Sequence, residues 1–166
     1  MKYISAKTTF LFLLIAFTFC INACKSSNSK IKNDIEIKEN GLHIEQAYLT
    51  NNNQSDIGDD NKVKVGERVS IRLVVTGWTI KNGKVFLDAS QKTSTSDGAT
   101  LATNPSLFGY VYAAGASSES AKYILLYQNI GRLDKHYDYI LISFKIWDKI
   151  SGKSVSGSCK LHVDTP

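Results

Sequence analysis

Few residues of this chain have both the type and the spacing that chemistry requires. Tyrosines recur at alternate positions, Tyr110 with Tyr112 and Tyr137 with Tyr139. Residues two apart on a strand share a face, so each pair could offer rings to a sugar or a protein partner. The same spacing also serves cross-strand pairing inside a sheet. Asp56-Ile57-Gly58-Asp59-Asp60-Asn61 is an oxygen-rich loop. Asp56, Asp59 and Asp60 are its candidate ligands for calcium, a hard cation that takes about six to eight oxygens. The loop lacks EF-hand spacing, and Asp and Asn are also the commonest turn formers. No other cofactor is expected.

Nucleophilic catalysis needs a serine or cysteine beside a base that a third group orients. The histidines His43, His136 and His162 are scattered, and Ser156-Gly157-Ser158 lacks the flanking glycines of a nucleophile elbow. Gly152-Lys153-Ser154 imitates the end of a P-loop, but Trp147 occupies the position of the earlier glycine. Cys159 falls among alternating apolar residues and reads as a small core side chain. No catalytic residue is assigned, and the expectation is a protein that is not an enzyme. The basic residues form no dense run, so the formal charge of +5 and the pI near 9.0 do not make a nucleic-acid partner.

The N-terminus reads as a processing signal. Lys2 and Lys7 precede an apolar run from Phe10 to Phe19, which is half the length a membrane-crossing helix needs. Ile21-Asn22-Ala23-Cys24 follows and resembles the lipobox of bacterial lipoproteins. That resemblance implies cleavage before Cys24 and lipidation of Cys24, whose acyl chains anchor a protein without spanning the bilayer. Removal of residues 1–23 takes away two lysines and no acid, so the formal charge falls to +3. Lys25 stands where an aspartate would favour inner-membrane retention in lipoproteins of this kind. The resemblance therefore implies the outer membrane, facing the periplasm.

Residues 24–40, polar and small, read as the lipidated cysteine and a flexible tether, and residues 41–166 as the folded domain. From Leu42 onward the hydrophobic period is two. Val69, Ile71, Leu73 and Val75 alternate with Arg68, Ser70, Arg72 and Val74. Ile140, Ile142, Phe144 and Ile146 do the same, and Val155, Cys159, Leu161 and Val163 share one face of a closing strand. Further strands are expected at 42–49, 84–87, 107–113 and 122–129, the Ile140–Ile146 alternation belongs to a strand at 137–147, and there is room for one short helix near 118–127. The stretch 88–106 reads as a long polar connection, of a length that is commonly functional.

About seven short strands predict an all-β fold, an antiparallel two-sheet β-sandwich. The pattern resembles generic immunoglobulin-like or transthyretin-like sandwiches, without a motif that names one family. The function expected is that of a membrane-anchored, non-enzymatic binding or assembly module. Its partners would be membrane lipid through Cys24 and other envelope proteins, as in a secretion or other envelope complex. The alternative is a carbohydrate- or calcium-binding module.

Overall fold

The computed structural model describes residues 30–164. Ten strands and one helical turn follow in order: β1 (Lys30–Ile31), β2 (Glu36–Asn40), β3 (His43–Thr50), β4 (Lys62–Lys64), β5 (Arg68–Thr76), β6 (Leu87–Thr95), β7 (Thr100–Asn104), α1 (Ser118–Lys122), β8 (Tyr123–Asn129), β9 (Ile140–Asp148) and β10 (Ser154–Asp164). They form two sheets. One has four strands in the order β1-β3-β5-β8. The other has six, in the order β2-β10-β9-β6-β7, with β4 also paired to β10. The fold is thus the expected β-sandwich, antiparallel except where β1 meets β3 and β4 meets β10.

The sandwich closes because each long strand has one apolar face. Val69, Ile71, Leu73 and Val75 of β5 are buried against Ile140, Ile142, Phe144 and Ile146 of β9 and Val155, Cys159, Leu161 and Val163 of β10 in one core. Each fully buried aliphatic side chain contributes about 1.5–3 kcal/mol. In β3 the alternation breaks, since Ile44 and Ala47 lie three apart and both point inward. A register shift between Ile44 and Gln46 supplies the extra residue that keeps both on the core side. Gly157 in β10 answers a close approach: a Cβ there would lie 2.5 Å from the Phe144 ring and 2.6 Å from the Glu36 carbonyl.

Five expectations need correction. The tether does not extend to residue 40, because β1 and β2 belong to the two sheets and Ile35 and Asn33 are buried. Asn33 tolerates the left-handed backbone (φ 60°) and uses its amide fully. It accepts from the Leu49 N–H and donates to the Ile57 and Gly58 carbonyls and to Asn61 Oδ1. Asn61 in turn donates to the carbonyls of Asn33 and of Lys160 in β10. Polarity here reflects a buried hydrogen-bond network.

The stretch 88–106 is also ordered, as most of β6, a tight turn at Gly98, and β7. Its alternation is carried by Gln91, Thr93 and Thr95, which are buried although polar. Gln91 Nε2 and Thr93 Oγ1 both donate to Gln128 Oε1 of β8. The Asp97 carboxylate closes the turn by accepting from Thr95 Oγ1 and the Ala99 N–H. A hydropathy reading misses a strand whose inward residues are hydroxyls and amides. The strand expected at 84–87 accordingly starts at Leu87 and runs on to Thr95.

Conversely, 107–113 is a series of turns and not a strand. The buried Asp88 carboxylate accepts from Ser106 Oγ and from the Phe108 and Ala89 N–H groups, which folds that segment back on β6. Burial pushes this carboxyl up, but its three donors and nearby Lys149 outweigh that and hold it below the usual carboxylate range. Finally, the strand expected from Tyr137 begins only at Ile140. The short helix is present, one turn capped by Ser117 Oγ on the Ser120 N–H, and it ends where the β-forming run Tyr123–Asn129 begins.

Candidate functional site

The four tyrosines singled out by spacing do not form one platform. Tyr110 and Tyr112 lie in the turns after Ser106, where Tyr110 is 99% exposed and Tyr112 packs edge-on against Phe108 at 5.6 Å. Tyr137 is buried and donates its hydroxyl to Asp134 at 2.7 Å. That bond, with burial, raises the Tyr137 phenol above its ordinary range. Tyr139 is half-buried beneath the Lys160 ammonium, 4.7 Å from the ring centre. Alternate spacing failed as a guide because neither pair lies on a strand.

The aspartates of the 56–60 loop also diverge. Asp56 pairs with Lys32 at 3.0 Å and Asp60 with Lys62 at 3.4 Å, while Asp59 is exposed. Among the described residues no three His, Cys, Asp or Glu side chains gather as a metal site would require. The histidines are separated too. His43 bonds the Glu39 carboxylate, His162 the Asp138 carbonyl, and His136 lines a cleft at one end of the sandwich. Cys159 is buried, and burial pushes its thiol up to about 12. At neutral pH it carries almost no thiolate.

A different surface concentrates binding chemistry, the outer face of the four-stranded sheet. Its inner face is core, and the residues between the core positions turn to the outer face, where Thr50 and Ser70 are nonetheless buried. Strand register sets them in rows. Tyr48 of β3, Arg72 of β5 and Leu125 of β8 are direct neighbours. Gln46, Val74 and Tyr123 form the next row, and Thr50, Ser70 and Tyr127 the row on the other side. Arg68 stands opposite Asn129. Tyr123 and Tyr127 are each 55% exposed and lie four residues apart on one strand, about 13 Å.

Cations accompany every ring of this face. The Arg68 guanidinium lies 5.7 Å from the Tyr127 ring centre, Lys122 5.9 Å from Tyr123 and Lys32 6.0 Å from Tyr48. Arg68 Nε donates to Asn129 Oδ1 at 2.9 Å. Arg72 donates through Nε to Thr50 Oγ1 at 3.1 Å and through Nη2 to Gln54 Oε1 at 3.2 Å. Every one of these acceptors is neutral. Strand β8 and its tyrosines are legible in the sequence, but the platform needs the pairing of β8 with β5, which no local pattern reveals.

A cleft of about 800 Å³ is lined by Lys64, Val65, Arg132, Leu133, Lys135, His136 and Asp164. Lys135 pairs with Asp97 at 3.0 Å, while Lys64 and Arg132 share the wall with one carboxylate, that of Asp164.

No protein-family model and no curated protein matches this chain. Among solved structures the chain is similar to the C-terminal domain of Wzt. The likeness covers 84% of each chain at 13% identity, with a TM-score of 0.50. At that identity it bears on fold alone, and it agrees with the sandwich architecture described above.

Proposed function

We propose that this chain is a non-catalytic binding module, held on a bacterial outer membrane by lipid on Cys24, whose working surface is the outer face of the four-stranded sheet. The observation that carries the binding reading is the solvent-facing set of Tyr123, Leu125 and Tyr127 beside Tyr48, Arg68 and Arg72. Tyrosine and arginine are the side chains that most often anchor recognition, because they present large rigid area or several donors. In a folded sheet the inner strand's backbone groups are spent on neighbouring strands, so recognition across such a face runs through side chains. The anchor rests on Ile21-Asn22-Ala23-Cys24, which lies outside the described residues. Among the described residues no helix is long and apolar enough to cross a membrane.

Two experiments test this reading. Cys24→Ala should abolish incorporation of labelled fatty acid and release the protein from membranes; unchanged sedimentation of that variant refutes the anchor. A photoreactive amino acid placed at position 127 in living cells should give adducts that are absent when it replaces Lys92, an exposed residue on the other sheet. Equal labelling from both positions, or none from 127, refutes the choice of face.

A further inference from the structure

We infer that the outer face of the four-stranded sheet binds an acidic saccharide, with its carboxylate or phosphate on Arg68 and Arg72 and its sugar rings on Tyr123 and Tyr127. This rests on the binding reading above and gives that surface a ligand class. Each guanidinium has five N–H donors, of which the neutral oxygens of Asn129, Thr50 and Gln54 take one from Arg68 and two from Arg72. Such contacts orient the fork without cancelling its charge. Four ammoniums are compensated by acids, Lys32 by Asp56, Lys62 by Asp60, Lys122 by Glu45 and Lys135 by Asp97. Among the described residues no carboxylate lies within ion-pair reach of Arg68 or Arg72. The two point from the same face of β5, and Tyr127 stands opposite Ser70, the residue between them on that face. Two oriented, uncompensated guanidiniums on one face, that of Arg68 beside the exposed Tyr127 ring and that of Arg72 toward β3, complement anionic groups carried on a C–H-bearing body.

The surroundings favour a saccharide over a peptide. A peptide adding itself as a strand needs a sheet edge; β5 is flanked on both sides, which leaves the outer edge of β8 for it. On β8 the Tyr127 carbonyl is already engaged by Gln91 Nε2. An apolar protein partner would want contiguous bulk, whereas Leu125 and Val74, between the rings, are half-buried. Gln46, Gln54 and Asn129 place neutral amides around the rings. These suit a ligand that alternates hydroxyl edges with apolar C–H faces.

The test is calorimetric titration of the folded protein with oligogalacturonate, with a malto-oligosaccharide of equal length, and with polyglutamate of equal charge. Oligogalacturonate is expected to bind, with affinity falling as salt rises, and the neutral sugar to bind at least about tenfold more weakly. Arg68→Gln and Arg72→Gln should each weaken binding about tenfold, with lysine recovering only part, and Tyr127→Ala should weaken it several-fold. Circular dichroism confirms that each variant is folded. Lys92→Gln with Lys145→Gln removes the same charge from the opposite sheet and should leave binding intact. Equal binding of the neutral sugar, an equal loss in that control pair, or no binding of oligogalacturonate overturns the inference. So does polyglutamate bound as tightly and lost in the same variants, which would make the face one for acidic protein. In each of these cases the adducts from position 127 still decide separately whether the face binds at all.

Discussion

Replacing Asp148 with alanine should destabilise the fold by about 3–5 kcal/mol, a third or more of the stability of many domains this size. Asp148 is 0% exposed and stands at the end of β9. Its carboxylate accepts from the Thr79 N–H at 2.7 Å and from the Ile150 and Ser151 N–H groups at 2.8 and 3.2 Å. It thereby ties the β9–β10 turn to the connection leaving the other sheet. Alanine strands the half-buried Thr79 N–H, at about 1–3 kcal/mol, while the two turn amides exchange a charge-assisted bond for water at about 1 kcal/mol each. Asparagine keeps one acceptor and should cost roughly half as much.

The carboxyl also carries a pH signature. Burial alone would push it up, but the backbone donors and the Thr79 hydroxyl together hold it below the usual carboxylate range. Its stabilisation is therefore complete above the unfolded value of about 3.9 and declines as pH falls through the lower folded value. Guanidinium unfolding followed by tryptophan fluorescence reads the effect locally, since Trp147 and Trp78 adjoin Asp148 and Thr79 in the chain. The gap between the wild type and Asp148→Asn should be full near pH 7 and shrink in strong acid. An Asp148→Ala cost below about 1 kcal/mol, or a gap to Asp148→Asn that is independent of pH, would refute this account.

Three shorter predictions follow from the core. Gly157→Ala should cost about 1–3 kcal/mol by overpacking against Phe144 and the Glu36 carbonyl, and Phe144→Leu should restore part of it in thermal unfolding. Asn33→Ala and Asn61→Ala should each lose about 2–4 kcal/mol, yet the double variant should lose less than their sum, because the Asn33 amide donates to the Asn61 amide oxygen and that bond is lost in either single variant. Cys159 should resist thiol reagents in the native protein at neutral pH and react on unfolding, with its thiol held near 12 by burial; rapid native labelling would contradict the packing described.

Legibility in the sequence followed the chemistry of the inward face. Strands β5, β9 and the second half of β10 bury apolar residues in alternation, so their core sides could be read directly, although β9 starts three residues after Tyr137. Strand β6 buries Gln91, Thr93 and Thr95 in the same rhythm, but hydropathy scores these as loop. The segment 107–113 erred the other way. Leu107, Phe108 and Tyr112 look like strand residues, and only the distant Asp88 carboxylate shows why they fold into turns. For the candidate site, Tyr123 and Tyr127 were visible as residues of a strand. Their joining with Tyr48, Arg68 and Arg72 depends on pairings across many intervening residues, which period alone does not specify.

The first described residues have a mechanical consequence. Within ten residues the chain enters one sheet as β1 and the other as β2, and between them Asn33 is bonded to Leu49 and, through Asn61, to Lys160. A pull applied at Lys30 is thus shared between both layers at Asn33 and is not taken by a single edge strand that could peel away. Detaching this end requires buried amide bonds to break together, so the sandwich should bear tension at its N-terminal side as one body and yield abruptly.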